Sequence, residues 1–136
     1  MNRERITLFD TTLRDGAQTT GVDFSLEDKR QIAGLLDSLG VDYVEGGYPG
    51  ANPLDTEFFS ARPKIRAKFA AFGMTKRAGR SAANDPGVAA LLEAKADTIT
   101  FVAKTWDYHV HVALGCTLDE NIEGIADSIA GLRSSS

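Results

Sequence analysis

The feature that most constrains this chain is a fourfold alternation of short β-type runs with helical patterns. The β-type runs start at Ile6, Val41, Lys68 and Thr98. Apolar residues at helical spacing follow each run before the next one begins. Strands that alternate with helices in this way are parallel and are joined by right-handed crossovers. The sequence therefore predicts an α/β fold.

The strands are predicted over residues 6–10, 41–45, 68–73 and 98–103, and the last is too apolar to be half exposed. Each helix has a start signal, which is an N-cap residue with a capping-box partner or with proline beside it. These pairs are Ser25–Asp28, Asn52–Pro53, Asp85–Pro86 and Thr117–Glu120. The first helix is expected to end at Gly40 and to bury one stripe, made of Ile32, Leu35, Leu36 and Leu39.

Two architectures use this repeat, an open doubly wound sheet and a closed (β/α)8 TIM barrel. A dinucleotide-binding open sheet carries Gly-x-Gly-x-x-Gly after its first strand, whereas residues 12–18 here read Thr-Leu-Arg-Asp-Gly-Ala-Gln. Polar segments follow all four strands, as they do at the C-terminal rim of a barrel. A barrel needs about 250 residues. Residues 1–136 are therefore expected to be the N-terminal half of one catalytic barrel domain, its first four β/α units, with no second domain.

Charge and composition argue against several partners. The formal charge is −4, and the basic residues are scattered, so neither nucleic acid nor an anionic membrane is an expected partner. No apolar run approaches the roughly twenty residues of a membrane span, and the N-terminus lacks a signal-peptide core, so we expect a cytoplasmic protein. Cys116 is the single cysteine and is expected to be a small, buried or half-buried thiol.

The loop after the first strand is long and carries Arg14 and Asp15 side by side. A carboxylate at a strand end is a suitable ligand for a divalent cation, and a neighbouring guanidinium can hold a substrate carboxylate or stabilise an oxyanion. The alternative is an ordinary Asp-Gly turn with a surface arginine, and the motif alone favours that alternative. The length of the loop favours a functional segment.

Two further segments carry candidate residues. Glu45 precedes two glycines, which either let a ligand approach the backbone or form a tight turn with Glu45 paired to a basic residue. His109 and His111 could share a metal if their segment were extended, but a single histidine contacting a substrate oxygen is the favoured interpretation. Trp106 and Tyr108 are expected to anchor the same loop.

Residues 9–18, Phe-Asp-Thr-Thr-Leu-Arg-Asp-Gly-Ala-Gln, resemble the first-strand signature of the acyl-CoA condensing enzymes of the DRE-TIM metallolyase family. That family includes 2-isopropylmalate, homocitrate and citramalate synthases. The resemblance continues through residues 21–29, 43–59 and 104–109 and so spans nearly the whole chain. The Glu-Gly-Gly-Tyr-Pro-Gly-Ala-Asn-Pro and Trp-Asp-Tyr-His runs are most similar to the citramalate synthase branch.

The resemblance implies an acyltransferase of isoleucine biosynthesis that condenses acetyl-CoA with a 2-oxo acid, pyruvate in this branch, to give (R)-citramalate and CoA. It implies that Asp15 is one ligand of a divalent metal, Mn, Mg or Zn, and that Arg14 polarises the oxo-acid carbonyl and stabilises the alkoxide. Gln18, Glu45 and His109 are then expected to contact or line the oxo-acid site.

The family's remaining metal ligands, a His-x-His pair, and an active-site glutamate belong to later strands, so this chain is expected to be inactive by itself. The alternatives are the 2-isopropylmalate or homocitrate branch, or a non-catalytic fragment that serves as a scaffold or partner. A half barrel leaves open sheet edges and an uncovered apolar face, which predicts a homo-oligomer.

Overall fold

The computed structural model describes residues 4–133, and in them a single sheet of four parallel strands follows the order of the chain. The strands are β1 Phe9–Asp10, β2 Tyr43–Gly47, β3 Lys68–Met74 and β4 Thr98–Val102. The predicted α/β class and the parallel pairing are confirmed. The ends of the predicted domain, residues 1–3 and 134–136, lie outside the described residues, and closure into an eight-unit barrel stays a prediction.

Helices follow the strands in the predicted alternation. They are α1 Leu26–Leu39, α2 Pro53–Ser60, α3 Pro86–Glu93, α4 Asp107–His109 and α5 Leu118–Arg133, with short 3-10 turns at Gly16–Gln18 and Ala82–Asn84 and a π turn at Val110–Leu114. No helix within residues 4–133 combines the length and the apolar composition needed to cross a bilayer.

The predicted helix starts are confirmed in atomic detail. Ser25 and Asp28 form a reciprocal capping box, in which the Ser25 hydroxyl accepts a bond from the Asp28 amide at 3.1 Å and the Asp28 carboxylate accepts one from the Ser25 amide at 2.9 Å. Asn52 accepts a bond from the Leu54 amide at 2.9 Å and so caps α2. Gly40 ends α1 in the left-handed conformation that glycine adopts without strain.

The core lies between the sheet and its helices and is built around Phe69 of β3. The Phe69 ring lies 5.2 Å from the Phe58 ring and 4.6 Å from the Phe59 ring of α2. Val44 of β2 and Leu91 of α3 are also buried in this cluster. Because all four strands are paired in parallel, their carboxyl ends lie at one edge of the sheet.

The structure corrects the predicted buried stripe of α1. Leu35 and Leu39 are 66% and 79% exposed, whereas Lys29 and Ala33 are buried. Ile32 and Leu36 of the predicted stripe are partly buried and pack against the core. The face that meets the sheet therefore includes one side of the predicted stripe together with Lys29 and Ala33. Leu35 and Leu39 instead add apolar area to the outer surface.

Two strands also differ from their predictions. β4 is half exposed along most of its length, because it is the edge strand of the described sheet and has a partner on one side only. β1 contains two residues rather than five. Leu8, just before it, donates its amide to the Asp42 carboxylate at 2.9 Å, and its carbonyl accepts bonds from the Asp42 and Tyr43 amides at 3.1 and 3.0 Å.

Candidate active site

The turn after β1 is fixed by its own backbone. The amides of Arg14, Asp15 and Gly16 donate to the Thr11 carbonyl at 3.2, 2.8 and 3.2 Å. The Asp10 carboxylate accepts a 2.9 Å bond from the Thr12 amide at the start of the turn. This turn therefore presents its side chains from an ordered segment at the carboxyl edge of the sheet.

Arg14 is the centre of the candidate site, and residues of its own turn, of β2 and of β3 contact it. Its Nε donates to Glu45 Oε2 at 2.7 Å, and its Nη1 donates to Asp15 Oδ1 at 3.2 Å. Its Cζ lies 4.1 Å from the centre of the Phe72 ring. The guanidinium is therefore in contact with residues from the ends of β2 and β3 as well as from its own turn.

The burial of the two carboxylates differs sharply. Glu45 is 1% exposed, while the Asp15 side chain is 61% exposed. A guanidinium has five N–H donors. The bonds described within residues 4–133 engage Nε and Nη1 of these donors. Glu45 thus serves as the anchor of Arg14, and Asp15 faces solvent.

Asp15 has the chemistry of a hard-metal ligand, but the described residues do not form a metal site. No three side chains among His, Cys, Asp and Glu in residues 4–133 are grouped closely enough to hold an ion. Divalent magnesium or manganese needs about six oxygen or nitrogen ligands, and one exposed carboxylate supplies one or two of them. The predicted metal remains untested.

Gln18 lies beside Arg14 in a cavity of about 300 Å³ between the turn after β1 and the loop after β2. Tyr48 and Asn52 line its other wall. This cavity brings together two of the predicted oxo-acid contacts. Gln18 itself is exposed.

The glycines after Glu45 have a packing role. A Cβ at Gly46 would lie 2.3 Å from the Phe69 ring, and one at Gly47 would lie 2.3 Å from the Asp55 carboxylate carbon. Both glycines belong to β2, with an irregularity in its pairing to β3 between Glu45 and Gly47. Of the two interpretations, the structure matches the one in which Glu45 pairs with a basic residue, Arg14.

The structure places His109 and His111 in a helical segment, so the extended geometry that would give them a common face is not present. Residues two apart on a helix point about 200° apart. The ring centres of His109 and Trp106 lie 4.6 Å apart, and His111 Nδ1 lies 3.2 Å from the Cys116 carbonyl oxygen. Within the described residues no contact joins His109 to Arg14, and its substrate role stays a prediction.

The expectation that Trp106 and Tyr108 anchor this loop is wrong. Both side chains are more than half exposed, at 57% and 55%, and their ring centres lie 5.0 Å apart. They pack on one another and on His109 rather than in the core. The predicted burial of the Cys116 thiol is confirmed.

A second cavity, of about 600 Å³, lies between the ends of β3 and β4 and the helix α5. Lys76, Lys104 and Asp85 line it. Lys76 Nζ donates to the Arg80 carbonyl at 2.6 Å and lies 3.6 Å from the Asp127 carboxylate. The charge of Lys76 is therefore compensated within the chain.

The sequence interpretation missed a buried charged pair, Lys29 and Asp55. Lys29 is 2% exposed and its ammonium contacts the Leu13 carbonyl at 2.9 Å, the Gly46 carbonyl at 3.0 Å and the Asp55 carboxylate. A signal was present, because Lys29 lies four residues before the buried Ala33 and so shares its helical face.

The parallel sheet, its β/α order and the arginine held at its carboxyl edge define a β/α-repeat protein of the α/β class. The chain belongs to the HMGL-like family, which it matches over residues 5–136. The predicted resemblance to the DRE-TIM metallolyases is thereby confirmed.

Several curated proteins are similar to this chain. It is 53% identical over 130 residues to an (R)-citramalate synthase of Streptomyces coelicolor, and the alignment covers 93% of this chain and 24% of that protein. It is 45% identical over 133 residues to an (R)-citramalate synthase of Aquifex aeolicus, covering 96% and 25%. A 2-isopropylmalate synthase of Methylorubrum populi is 36% identical over 133 residues, covering 96% and 25%. The chain spans about a quarter of the length of these relatives.

Proposed function

We propose that this chain supplies the first four β/α units of a barrel that condenses acetyl-CoA with pyruvate to give (R)-citramalate and CoA. The observation that carries the proposal is the Arg14 guanidinium, held 2.7 Å from Glu45 at the carboxyl edge of the sheet. The similarity to proteins named (R)-citramalate synthase supports the substrate pair. A role in isoleucine biosynthesis follows from the same proposal.

In the proposed reaction the methyl carbon of acetyl-CoA loses a proton and forms a bond to the keto carbon of pyruvate. The electron pair of the carbonyl π bond moves to the keto oxygen, which becomes an alkoxide and is then protonated. Water hydrolyses the thioester and releases CoA as a thiol. Arg14 donates to the keto oxygen as its negative charge develops, which lowers the energy of the transition state more than that of the ground state.

Other residues of the chain bind and orient in this proposal. Glu45 fixes the direction of the Arg14 guanidinium through the bond to Nε. Gln18 lines the cavity beside Arg14 and binds the oxo acid there. His109 is assigned a contact with the oxo acid, and the acetyl-CoA proton acceptor is assigned to a part of the barrel beyond these four units.

Asp15 is proposed as one ligand of a divalent metal, Mn, Mg or Zn, with the other ligands contributed by later units. When bound, such an ion supplies Lewis-acid polarisation of the oxo acid. Because the described residues do not complete the site, we propose that the 136-residue chain does not turn over alone. Incubation with acetyl-CoA, pyruvate and Mn²⁺, with released CoA read by a thiol reagent, tests this, and turnover would contradict it.

A segment exchange tests the activity directly. Residues of this chain replace the matched segment of the Streptomyces coelicolor (R)-citramalate synthase, to which they are 53% identical. We expect the folded hybrid to release CoA with pyruvate and to reject a bulkier, branched 2-oxo acid. A folded hybrid that is inactive would favour the non-catalytic alternative, and one that prefers the branched acid would favour the isopropylmalate branch.

Two arginine variants of the hybrid separate the site from general effects of charge. Arg14→Lys keeps the positive charge but loses the fixed fork of donors, and we expect it to lower kcat by about 100-fold or more. Arg66→Lys changes an exposed residue of the loop before β3 and is the matched control. Equal activity of the two variants would contradict the role of Arg14.

We also propose that the isolated chain self-associates. Exposed apolar side chains lie on the outer helices as well as on the edge strand. They include Leu35, Leu39, Val102, Ile122 and Ile129. Removing exposed apolar side chains from water favours association.

A further inference from the structure

We propose that Lys29 is a positioning residue for the Arg14–Glu45 pair. Its buried ammonium joins the two loops that carry these residues and so sets the distance and direction of the guanidinium. The catalytic consequence of this inference rests on the proposed function, whereas the positioning itself is a property of the chain alone.

The carbonyl partners of Lys29 lie directly beside the two members of the pair. Leu13, whose carbonyl lies 2.9 Å from Nζ, is the residue before Arg14. Gly46, whose carbonyl lies 3.0 Å from Nζ, is the residue after Glu45. A single ammonium from α1 therefore ties the peptide adjoining Arg14 to the peptide adjoining Glu45.

Asp55 extends this tie along the loop after β2. Its Oδ1 contacts the Lys29 ammonium, and its Oδ2 accepts a 2.8 Å bond from the Tyr48 amide. Gly46 and Tyr48 are thus held at their carbonyl and amide by the two members of one buried ion pair. Gly47 lies between them, against the Asp55 carboxylate.

A role in stability alone does not account for this arrangement. Burying two charges costs desolvation, and a buried ion pair is often replaced by apolar residues without loss of stability. An ammonium has three donors, and here Leu13, Gly46 and Asp55 accept one each. What an apolar side chain cannot reproduce is the connection between two loop carbonyls.

The readout is the Nε–H group of Arg14, observed by ¹⁵N–¹H NMR on the 136-residue chain and assigned with Arg14→Lys. The bond to Glu45 should shift this proton downfield and slow its exchange with water. In Lys29→Met we expect exchange to speed up about tenfold or more and the downfield shift to shrink, because the loops lose their common tie.

The matched control is Leu91→Ala, which opens a cavity in the core and removes none of the hydrogen bonds of Lys29. Urea unfolding ranks the two variants by stability. Unchanged Arg14 exchange in a folded Lys29→Met chain would overturn the proposal, as would an equal speeding in Leu91→Ala. If Lys29→Met fails to fold, Asp55→Asn is measured instead, with faster exchange expected and unchanged exchange again overturning the proposal.

The catalytic arm uses the hybrid enzyme. Lys29→Met should lower kcat about tenfold or more with little change in the KM for pyruvate, because a displaced Arg14 loses transition-state contacts more than ground-state ones. A KM increase at constant kcat would contradict this. An inactive parent hybrid would count against the proposed function and leave the NMR result standing.

Discussion

Glu45 Oε2 accepts a 2.7 Å bond from Arg14 Nε across 31 residues of sequence, from the end of β2 to the turn after β1. Glu45 is 1% exposed, so the guanidinium compensates a carboxylate that water does not reach. The pair therefore links site geometry to stability.

Neutralising Glu45 should weaken this link. We expect Glu45→Gln to lower the free energy of unfolding by about 1–3 kcal/mol, because an amide keeps the shape but loses the charge-assisted bond. Urea unfolding of the 136-residue chain measures the loss. Glu57→Gln, at an exposed position of α2, is the control, and equal effects at the two positions would contradict the prediction.

Adding a methyl group at Gly47 should be costly. The new Cβ would lie 2.3 Å from the Asp55 carboxylate carbon, which Lys29 and the Tyr48 amide hold in place. We expect Gly47→Ala to destabilise the chain by about 2–4 kcal/mol.

Gly79→Ala is the comparison, since Gly79 has φ +77° but no heavy atom within 4 Å of its Cβ position. Its cost is backbone strain alone, about 1–2 kcal/mol. Thermal unfolding of both variants gives the difference. If the Gly47 variant were no less stable than the Gly79 variant, the prediction would be contradicted, because the Asp55 carboxylate would then move aside for the methyl group.

Acid should destabilise the chain through Asp85. Burial alone raises the pKa of Asp85, but the amides of Arg77, Val88 and Gly87 outweigh it and hold the pKa below the ordinary 3.8. Near and below pH 3.8 the unfolded chain therefore binds more protons than the folded one. The stabilisation is fully present above about pH 5 and is lost as the pH falls through the folded-state pKa.

Asp85→Asn should remove this contribution. Urea unfolding measured from pH 6 downwards to about pH 3 should give a shallower fall of the unfolding free energy for Asp85→Asn than for the unsubstituted chain. Asp119→Asn, at an exposed position in the first turn of α5, controls for the loss of one carboxylate. Parallel curves for Asp85→Asn and the unsubstituted chain would contradict the prediction.

Self-association should be visible by sedimentation equilibrium. We expect an average mass of at least twice the 14.6 kDa of one chain, because the exposed apolar side chains are covered on association. The double variant Leu39→Gln and Ile122→Gln should shift the mass toward one chain. A stable monomer of the unsubstituted chain would contradict the proposal.

Local signals predicted the elements well. Ser25 with Asp28, and Thr117 with Glu120, specify helix starts through bonds within four residues, so these signals can be recognised without knowledge of the rest of the fold. The buried face of α1 was predicted less well. Which side of a helix meets a sheet depends on the partner surface, and Lys29 is buried because carbonyls and Asp55 receive its charge there.

The candidate site was predicted as separate residues and not as an arrangement. Arg14 and Glu45 were each expected at the rim. Their bond depends on the register of β1 with β2, in which Asp10 pairs with Val44, and sequence spacing does not contain that register. The roles of Gly46 and Gly47 depend likewise on Phe69 and Asp55, which lie in other elements.

The agreement between strand order and chain order has a consequence for how the protein is made. Each strand pairs with the one synthesised just before it, so the sheet can assemble in the direction of translation without waiting for a distant partner. Loop-closure entropy is then lost in small steps, one β/α unit at a time. In the described sheet β4 is the edge at which a further unit would dock, as β4 docked on β3.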